Sequence, residues 1–412
     1  MKTIRLTMAQ ALVHFLDQQY FSIDGKETKF IEGIFAIFGH GNVAGMGEAL
    51  NAAQHNFPTW RGHNEQAMAH AAIAFAKAKK RRQFMAVTSS IGPGATNMVT
   101  AAALAHANRL PVLLIPGDVF ANRAPDPVLQ QVEDFTDGTV SANDCFRPVS
   151  RYFDRIARPE QLLTALPRAI ATMTDPANCG PVTLAFCQDT QAEAFDYPES
   201  FFEEKAWHQR RPQPDRAELD RAVAAIKAAK NPIIIAGGGV IYSGAETALA
   251  DFAHKHQIPV AETQAGKSAM VWDDELNFGS VGVTGASSAN AMAAKADEIA
   301  IFGSASEGFS QANINCSIEE SLERFKPIAE AAKVAKVKMR GYISCVTDCP
   351  YDGETAPEQV AWVAKKLIDM GCYEISLGDT IGQATPEKIN KMLEAVLGVA
   401  GPKMFAGHYH DT

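Results

Sequence analysis

The stretch FMAVTSSIGPGATN, residues 84–97, runs from an apolar segment into a glycine-rich turn. An apolar run of this length predicts a buried β-strand, and the glycines after it let a ligand approach the backbone closely. The same order recurs in GIFAIFGHGNVAG (33–45) and LPVLLIPGD (110–118), and a further strand is predicted in GPVTLAFCQD (180–189). Alanine-rich helical stretches alternate with these runs. The pattern predicts an α/β domain over residues 1–197.

Length and composition limit the protein class. The chain has 412 residues, of which 47% are hydrophobic, so it can form two or three domains with buried cores. A net charge of -9 argues against nucleic acid as a partner. The first residues lack the apolar core and cleavage site of a secretion signal, and no apolar run reaches the ~20 residues of a membrane span. We therefore expect a soluble, cytoplasmic protein without a membrane partner.

The cysteines are seven in number and scattered singly, except for Cys345 and Cys349. An odd, scattered set is typical of reduced thiols in the cytosol rather than of a disulfide framework. The Cys345/Cys349 pair has no second pair and no suitably spaced histidine. A structural role is therefore favoured, and a zinc site is the alternative.

The second half of the chain repeats the α/β alternation after a break. Residues 198–218 are charged and contain three prolines, which predicts a surface linker. A second, Rossmann-like unit is expected over 219–299, with a helix from Asp220 to Lys230 and strands in NPIIIAGGGV (231–240) and IPVAET (258–263). From residue 300 a β/α ladder continues to MFAGHYHDT and predicts a partial (β/α) barrel. Its first strand, near 299–303, could instead extend the sheet of the second unit.

Glu65 is the first candidate functional residue, in RGHNEQAMAH (61–70). A glutamate in the first turn of a helix is explained by the helix dipole alone. However, the two glycine turns at 38–45 and 89–97 each follow a predicted strand directly. A carboxylate among such turns is also consistent with a ligand site.

Four segments, FGHGNVAGMGEAL, RGHNEQAMAHAA, SSIGPGATNMVTAAA and RLPVLLIPGDVFA, resemble the pyrimidine-binding domain of thiamine-diphosphate enzymes. Over residues 1–299 the chain is most similar to the trihydroxycyclohexane-dione hydrolase family of myo-inositol catabolism. The resemblance implies that Glu65 hydrogen-bonds N1' of the cofactor pyrimidine, whose exocyclic nitrogen then removes the thiazolium C2 proton. The resulting ylide attacks a carbonyl, and water releases the ring as an open-chain acid. It also implies thiamine diphosphate and Mg²⁺ as cofactors, bound with the help of His40, Asn42, Gly92 and Asn97.

The glycine run 237–239 follows a predicted strand and could form a nucleotide-binding turn. The spaced fingerprint and its downstream acidic residue are missing, which disfavours a dinucleotide site. The resemblance implies instead the central domain of the thiamine enzymes, with a mainly structural role.

Residues 300–412 resemble an internal piece of hydroxymethylglutaryl-CoA lyase, a (β/α)8 barrel. The segments that carry this resemblance are IFGSASEGFSQANINCSIEESLERF, RGYISCVTDCPYDG, GCYEISLGDTIGQATPEKINKMLEAV and GHYHDT. The resemblance implies a divalent metal at His408 and His410 and a pocket formed by Glu307, Asn313 and Asp379. By chance alone, an H-x-H pair on a strand is usually structural. Asp348 occupies a position where that family usually has glycine.

Neither resemblance extends over a whole family pattern, so we expect both sites to be incomplete. The third thiamine-enzyme domain, which holds Mg²⁺ and diphosphate, has no counterpart in the sequence, nor have the outer segments of the lyase. Three functions follow as hypotheses. The chain is the amino-terminal part of a thiamine-diphosphate-dependent C–C hydrolase fused to a lyase fragment and inactive alone, a truncated metal-dependent lyase, or a non-catalytic chain that assembles. In each case a homo-oligomer is expected.

Overall fold

The computed structural model describes residues 2–52, 55–211, 213–282, 284–314 and 316–409. The chain divides into two compact units, Met1–Gln213 and Pro214–Thr412. Within the described residues, no helix is both long enough and apolar enough to cross a membrane.

The first unit alternates strands and helices. Its strands are β1 (Thr3–Thr7), β2 (Gln19–Ile23), β3 (Lys26–Lys29), β4 (Ile31–Ala36), β5 (Thr59–Arg61), β6 (Phe84–Ser89), β7 (Val112–Asp118), β8 (Tyr152–Ile156), β9 (Pro181–Cys187), β10 (Ala194–Pro198) and β11 (Lys205–His208). Its α-helices are α1 (Met8–Asp17), α2 (Gly39–Asn42), α3 (Glu48–Asn51), α4 (Glu65–Ala78), α5 (Pro93–Thr96), α6 (Val99–Asn108) and α7 (Leu162–Thr174).

A six-stranded sheet with the order β5-β4-β6-β7-β9-β8 forms the centre of this unit. All of its strand pairs are parallel. Strands β6, β7 and β9 are buried along their whole length, as expected when helices cover both faces of a parallel sheet. The predicted α/β fold is therefore confirmed. Strands β6 and β9 end before the polar or glycine residues that close their predicted runs, whereas β7 continues through Gly117 to Asp118.

The predicted linker, 198–218, contains more structure than its composition indicates. Strand β11 pairs in parallel with β2, and the indole of Trp207 donates a hydrogen bond of 2.9 Å to the side-chain oxygen of Gln19. The aromatic residue gives this charged segment an apolar contact that holds it on the first unit. The next helix then begins at Arg216, because the Asp215 carboxylate caps the amide of Glu218 at 3.1 Å.

The second unit continues the alternation. Its strands are β12 (Ile234–Ala236), β13 (Val260–Glu262), β14 (Asn277–Ser280), β15 (Glu298–Ser304), β16 (Lys338–Ser344), β17 (Asp348–Cys349), β18 (Gly353–Glu354), β19 (Glu374–Gly378) and β20 (Phe405–His408). Its α-helices are α8 (Arg216–Ala228), α9 (Gly238–Ser243), α10 (Glu246–His256), α11 (Ser287–Ala293), α12 (Glu307–Ile314), α13 (Ile318–Ala335), α14 (Pro357–Asp369) and α15 (Pro386–Leu397).

Two parallel sheets lie in this second unit, with orders β12-β13-β14 and β15-β16-β19-β20. Strand β15 pairs with β16 along its full length, from Glu298 to Ser304. The alternative in which this strand extends the central sheet is therefore wrong: its seven-residue register with β16 assigns it to the four-stranded sheet. The expected domain boundary between 299 and 300 falls inside β15.

The four-stranded sheet has one apolar and one partly open face. Ile301, Ile343 and Leu377 are buried in a core that also contains helix residues from α13, α14 and α15. On the other face Phe302 is 59% exposed and stacks on Tyr342, with ring centroids 4.4 Å apart. This is the arrangement of consecutive β/α units in a barrel segment, as the sequence predicted.

Candidate functional site

Four loops of the first unit follow β4, β6, β7 and β9, and all start at the same edge of the six-stranded sheet. In open parallel sheets, ligands bind outside the carboxyl ends of the strands. Both glycine turns of the sequence analysis lie at this edge, so the fold brings them together.

Glu65 is the first residue of α4, and the Asn64 side chain caps that helix by accepting from the amide of Ala67 at 2.9 Å. The carboxylate is half-buried, and its Oε2 accepts a hydrogen bond of 2.9 Å from Nδ2 of Asn97. The other oxygen, Oε1, faces Gly94. A Cβ atom on that glycine would lie 3.2 Å from Oε1. The structure thus joins two predicted site residues, Glu65 and Asn97, and the glycine at position 94 avoids a close contact with the carboxylate.

Asn42 is completely buried, and its side-chain amide forms hydrogen bonds within the protein. Nδ2 donates to Oγ1 of Thr88 at 2.5 Å and to the carbonyl of Ser89 at 2.6 Å. Oδ1 accepts a hydrogen bond of 2.8 Å from Gln191. These contacts fix the 38–45 turn to β6. His40 is exposed, and its carbonyl accepts a hydrogen bond of 2.9 Å from the side chain of Gln188.

Gly92 has a positive φ of +57°, and a Cβ atom there would lie 2.1 Å from the carbonyl oxygen of Gln130. A side chain at position 92 is therefore excluded by the loop after β7. The same loop is held by Ser90, whose hydroxyl donates to Oε1 of Gln130 at 2.9 Å. The conformational reason for this glycine is contact with the protein's own backbone.

Gln191 was not identified from the sequence, although it is a central residue of this edge. Its side chain is buried, donates to the carbonyl of Gly41 at 3.0 Å and accepts from the amide of Met46 at 3.3 Å. A signal was present, because polar residues follow β9 directly. Side chains at the carboxyl end of a parallel strand reach the same edge as the glycine turns.

Asp118 holds the long loop after β7. Its buried carboxylate accepts from Ser141 Oγ at 2.8 Å, from the amide of Val119 at 2.8 Å and from Nε of Arg155 at 2.9 Å. Burial lowers the pKa of Arg155, but the attraction of Asp118 outweighs that effect and leaves the pKa above its ordinary value. This ion pair joins the end of β7 to β8 and so stabilises the carboxyl edge of the sheet.

Thiamine diphosphate fits the residues of this edge at its pyrimidine end. The required group there is a carboxylate that can accept a hydrogen bond from a ring nitrogen, and Glu65 has Oε2 held by Asn97 and Oε1 facing Gly94. In the described part of the chain, no group of three or more His, Cys, Asp or Glu residues could hold a metal ion.

The lyase-like residues lie at the carboxyl ends of the four-stranded sheet. Asp379 follows β19 and His408 ends β20, and the amide of Asp379 donates to the carbonyl of His408 at 3.0 Å. The carboxylate of Asp379 accepts from Thr347 Oγ1 at 3.3 Å and from the amide of Ala384 at 3.2 Å. His410, the second predicted metal ligand, lies outside the described residues.

Two further predicted pocket residues have other surroundings. Glu307 begins α12, and its Oε2 accepts from the amide of Ile318 at 3.0 Å, so it supports the start of α13. Asn313 is exposed on α12. The structure therefore brings Asp379 and His408 to neighbouring strand ends and gives Glu307 a helix-capping contact.

Asp348, the departure from the lyase pattern, is buried and forms an ion pair with Lys388. The distance between Asp348 Oδ1 and Lys388 Nζ is 2.5 Å, and Oδ2 has no hydrogen-bond partner among the described residues. A lysine on α15 thus compensates an acidic side chain at this position.

Three protein-family models match parts of this chain. Residues 27–137 match the thiamine pyrophosphate enzyme, N-terminal TPP binding domain, and residues 219–334 match the thiamine pyrophosphate enzyme, central domain. Residues 283–412 match the HMGL-like family. The chain therefore combines two domains of the thiamine-enzyme class with an HMGL-like segment, as the sequence analysis predicted. The central-domain and HMGL-like matches overlap over 283–334, which contains β15.

The particular relatives are 3D-(3,5/4)-trihydroxycyclohexane-1,2-dione hydrolases. The protein of Geobacillus thermodenitrificans is 45% identical over 415 residues, covering 100% of this chain and 62% of the relative. That of Clostridium tetani is 54% identical over 299 residues, covering 73% of this chain and 46% of the relative. The chain thus spans about half to three-fifths of the length of these relatives.

Solved lyase structures match part of the chain. The HMG-CoA lyase from Brucella melitensis has 41% sequence identity and a TM-score of 0.30, with 41% of this chain and 53% of that chain covered. The hydroxymethylglutaryl-CoA lyase from Pseudomonas aeruginosa has 37% sequence identity and a TM-score of 0.32, with 49% of this chain and 64% of that chain covered.

Proposed function

We propose that this chain supplies the pyrimidine-binding and central domains of a thiamine-diphosphate-dependent hydrolase. The substrate would be an inositol-derived cyclic 1,2-dione, of which a C–C bond is cleaved. The observation that carries the proposal is the Glu65 carboxylate at the carboxyl edge of the sheet, with Oε2 fixed by Asn97 and Oε1 facing the glycine at position 94. The relatives' names supply the substrate class.

When bound, the cofactor supplies a thiazolium carbon that becomes nucleophilic once its proton is lost. Glu65 would accept the hydrogen bond of the pyrimidine ring and so set the protonation state of the ring's amino group. Asn97 would hold Glu65 in the orientation for this contact. His40, Asn42 and Gly92 would shape the surrounding turns, Asn42 from inside the protein.

We further propose that the 412-residue chain, in which a lyase-like segment is fused to these domains, is inactive alone. Glu65 would contact only the pyrimidine end of the cofactor, whereas Mg²⁺ and the diphosphate need ligands of their own. Because misplacement by ~1 Å can already cost about a hundredfold in rate, an unanchored cofactor should not be productive. A cytoplasmic location and a homo-oligomeric state complete this proposal.

A second candidate function is that of a metal-dependent lyase acting on hydroxymethylglutaryl-CoA. The observation that favours it is the position of Asp379 and His408 at adjacent strand ends. His408 and His410 would bind a divalent metal there. Turnover of this thioester by the purified chain, lost in His408→Ala, would support this function over the first.

The experiment that tests the first function is a graft. Residues 1–299 replace the matching part of the Clostridium tetani relative, and hydrolysis of the trihydroxycyclohexane dione is measured. We expect activity in the graft and its loss in Glu65→Gln, whereas Glu48→Gln, the same change at an exposed helix residue, should have no effect. A folded graft without activity, or equal activity in Glu65→Gln, would contradict the proposal.

A further inference from the structure

The segment that leads from β7 toward β8 lies on the carboxyl edge of the six-stranded sheet. The Asp189 carboxylate, after β9, accepts hydrogen bonds of 2.8 Å from the amide of Ala121 and of 2.8 Å from Nδ2 of Asn122. Further along, Oε1 of Glu133 accepts from the amide of Ala142 at 2.8 Å. The stretch from Ala121 to Glu133 is therefore held at both ends.

Gln130, within this stretch, contacts the glycine turn after β6 through both its backbone and its side chain. A Cβ atom at Gly92 would lie 2.1 Å from the Gln130 carbonyl oxygen, and Oε1 of Gln130 accepts from Ser90 Oγ at 2.9 Å. Gln130 is exposed and has a positive φ of +66°. Glycine adopts this left-handed conformation more easily than glutamine does, so the backbone gives no reason for a side chain here. The side chain itself needs an explanation.

Ser90 connects the Gln130 side chain to the surroundings of Glu65. Ser90 is buried, and a Cβ atom at Gly94 would lie 3.4 Å from the Ser90 Cβ and 3.2 Å from Oε1 of Glu65. A Cβ atom at Gly39, in the other glycine turn, would lie 2.4 Å from Ser90 Oγ. The two glycine turns therefore meet at Ser90. A chain of contacts through Ser90 and Gly94 leads from the Gln130 side chain to the carboxylate that would bind the cofactor.

The two ends of the Gln130 side-chain amide differ in their contacts. The oxygen accepts from Ser90, whereas Nε2 has no acceptor among the described residues. An amide nitrogen carries two N–H donors, so a ligand that complements it must present acceptors, such as ketone or hydroxyl oxygens. Because the bond to Ser90 already holds the amide, little side-chain freedom is lost when such a ligand binds.

We propose, as an inference that rests on the function proposed above, that Gln130 binds the substrate of that reaction and sets its specificity. Nε2 donates a hydrogen bond to a ketone or hydroxyl oxygen of the inositol-derived cyclic dione, and Ser90 is the positioning residue that holds the amide. The bond favours substrates with an oxygen at this place, because a substrate without it leaves a polar donor unpaired. Gln130 takes no part in activating the cofactor, since it contacts the substrate alone.

The test uses the graft of residues 1–299 and measures KM and kcat for the trihydroxycyclohexane dione, and deuterium exchange at thiazolium C2 without substrate. Gln130→Glu keeps an acceptor for Ser90 but loses the donor, whereas Gln130→Gly removes the side chain and suits the left-handed backbone. We expect KM to rise about tenfold in both variants and by less in Ser90→Ala, while kcat and C2 exchange change by less than about twofold. Gln257→Gly is the control, because Gln257 is also an exposed glutamine with a positive φ, +52°, but precedes β13 in the second unit; its KM should stay unchanged.

Hydrogen exchange of peptides that cover 119–140 in the whole 412-residue chain checks the folding of this segment in Gln130→Glu, and we expect wild-type rates. If the segment is loosened there, Gln130→Gly decides. An unchanged KM in Gln130→Gly would overturn the inference and leave the proposed function intact. Slower C2 exchange in both Gln130 variants would also overturn it, because the residue would then act on the cofactor. A folded graft that turns over no dione before any substitution is a different result, which contradicts the proposed function and this inference with it.

Discussion

The side-chain amide of Asn97 donates a hydrogen bond of 2.9 Å to the carboxylate of Glu65 and thereby joins the first turn of α4 to the glycine turn after β6. The bond occupies Oε2 and leaves Oε1 toward Gly94. A carboxylate held in this way needs little reorganisation to accept a hydrogen bond from a ring nitrogen.

Gly94→Ala should separate cofactor binding from stability. A Cβ at position 94 would lie 3.2 Å from Glu65 Oε1, whereas the helical backbone of α5 tolerates alanine well. In the graft described above, we expect the affinity for thiamine diphosphate to fall about tenfold while the urea midpoint stays unchanged or rises. Gly47→Ala is the control, because its Cβ would make ordinary contacts at 3.6 Å. Unchanged cofactor affinity in Gly94→Ala would contradict this account.

Gln191→Leu should destabilise the first unit by about 3 kcal/mol, because several buried hydrogen-bonding groups lose their partner at once. Those groups include the carbonyl of Gly41, the amide of Met46 and Oδ1 of Asn42. Hydrogen exchange of peptides that cover β4 and β6 in increasing urea measures the change. Gln188→Ala, at an exposed hydrogen bond, should alter it by less than about 1 kcal/mol. Equal effects of the two substitutions would refute the role of Gln191.

The ion pair of Asp348 and Lys388 predicts the order of stability among variants that lack one or both charges. Lys388→Met leaves a buried carboxylate without its cation, whereas Asp348→Gly with Lys388→Met removes both charges. We therefore expect the double variant to unfold at a higher urea concentration than Lys388→Met. Lys391→Met, which breaks the exposed pair with Glu387 on the same helix, should have little effect. A double variant no more stable than Lys388→Met would show that the two residues are not coupled.

His254 predicts a pH dependence in the second unit. Its hydrogen bond to Asp274, at 2.9 Å, raises the pKa of the imidazole above 6.5, helped by the charges of Asp274, Glu275 and Asp251. Because the folded pKa is the higher one, the stabilisation is complete below pH 6.5 and is lost as the pH rises through the folded value. NMR titration of His254 should show a raised pKa that falls in Asp274→Asn. An unaltered titration of His254 in that variant would contradict the contact.

The sequence predicts much of this fold because buried parallel strands are continuous apolar runs, as in residues 84–89 and 112–118. Glu65 could be singled out from the glycine turns near it, whereas Asn97 was indicated only by the resemblance to thiamine-diphosphate enzymes. Gln191 could not be identified from the sequence. It lies 150 residues after Gly41 in the chain, and the two meet only because the loop that carries Gln191 folds onto the same edge of the sheet. Strand β11 was also missed, because its pairing with β2 is a tertiary contact that the charged composition conceals. The Asp348–Lys388 pair likewise depends on which residues the fold brings together.

The most direct test of the central claim, that Glu65 forms the pyrimidine end of a thiamine diphosphate site, is the rate of hydrogen–deuterium exchange at thiazolium C2. It is measured by NMR on cofactor bound to the graft of residues 1–299. We predict rapid exchange in the unaltered graft, a decrease of about a hundredfold or more in Glu65→Gln, and no decrease in Glu48→Gln. Exchange in Glu65→Gln as fast as in the unaltered graft, with cofactor equally bound, would contradict the claim.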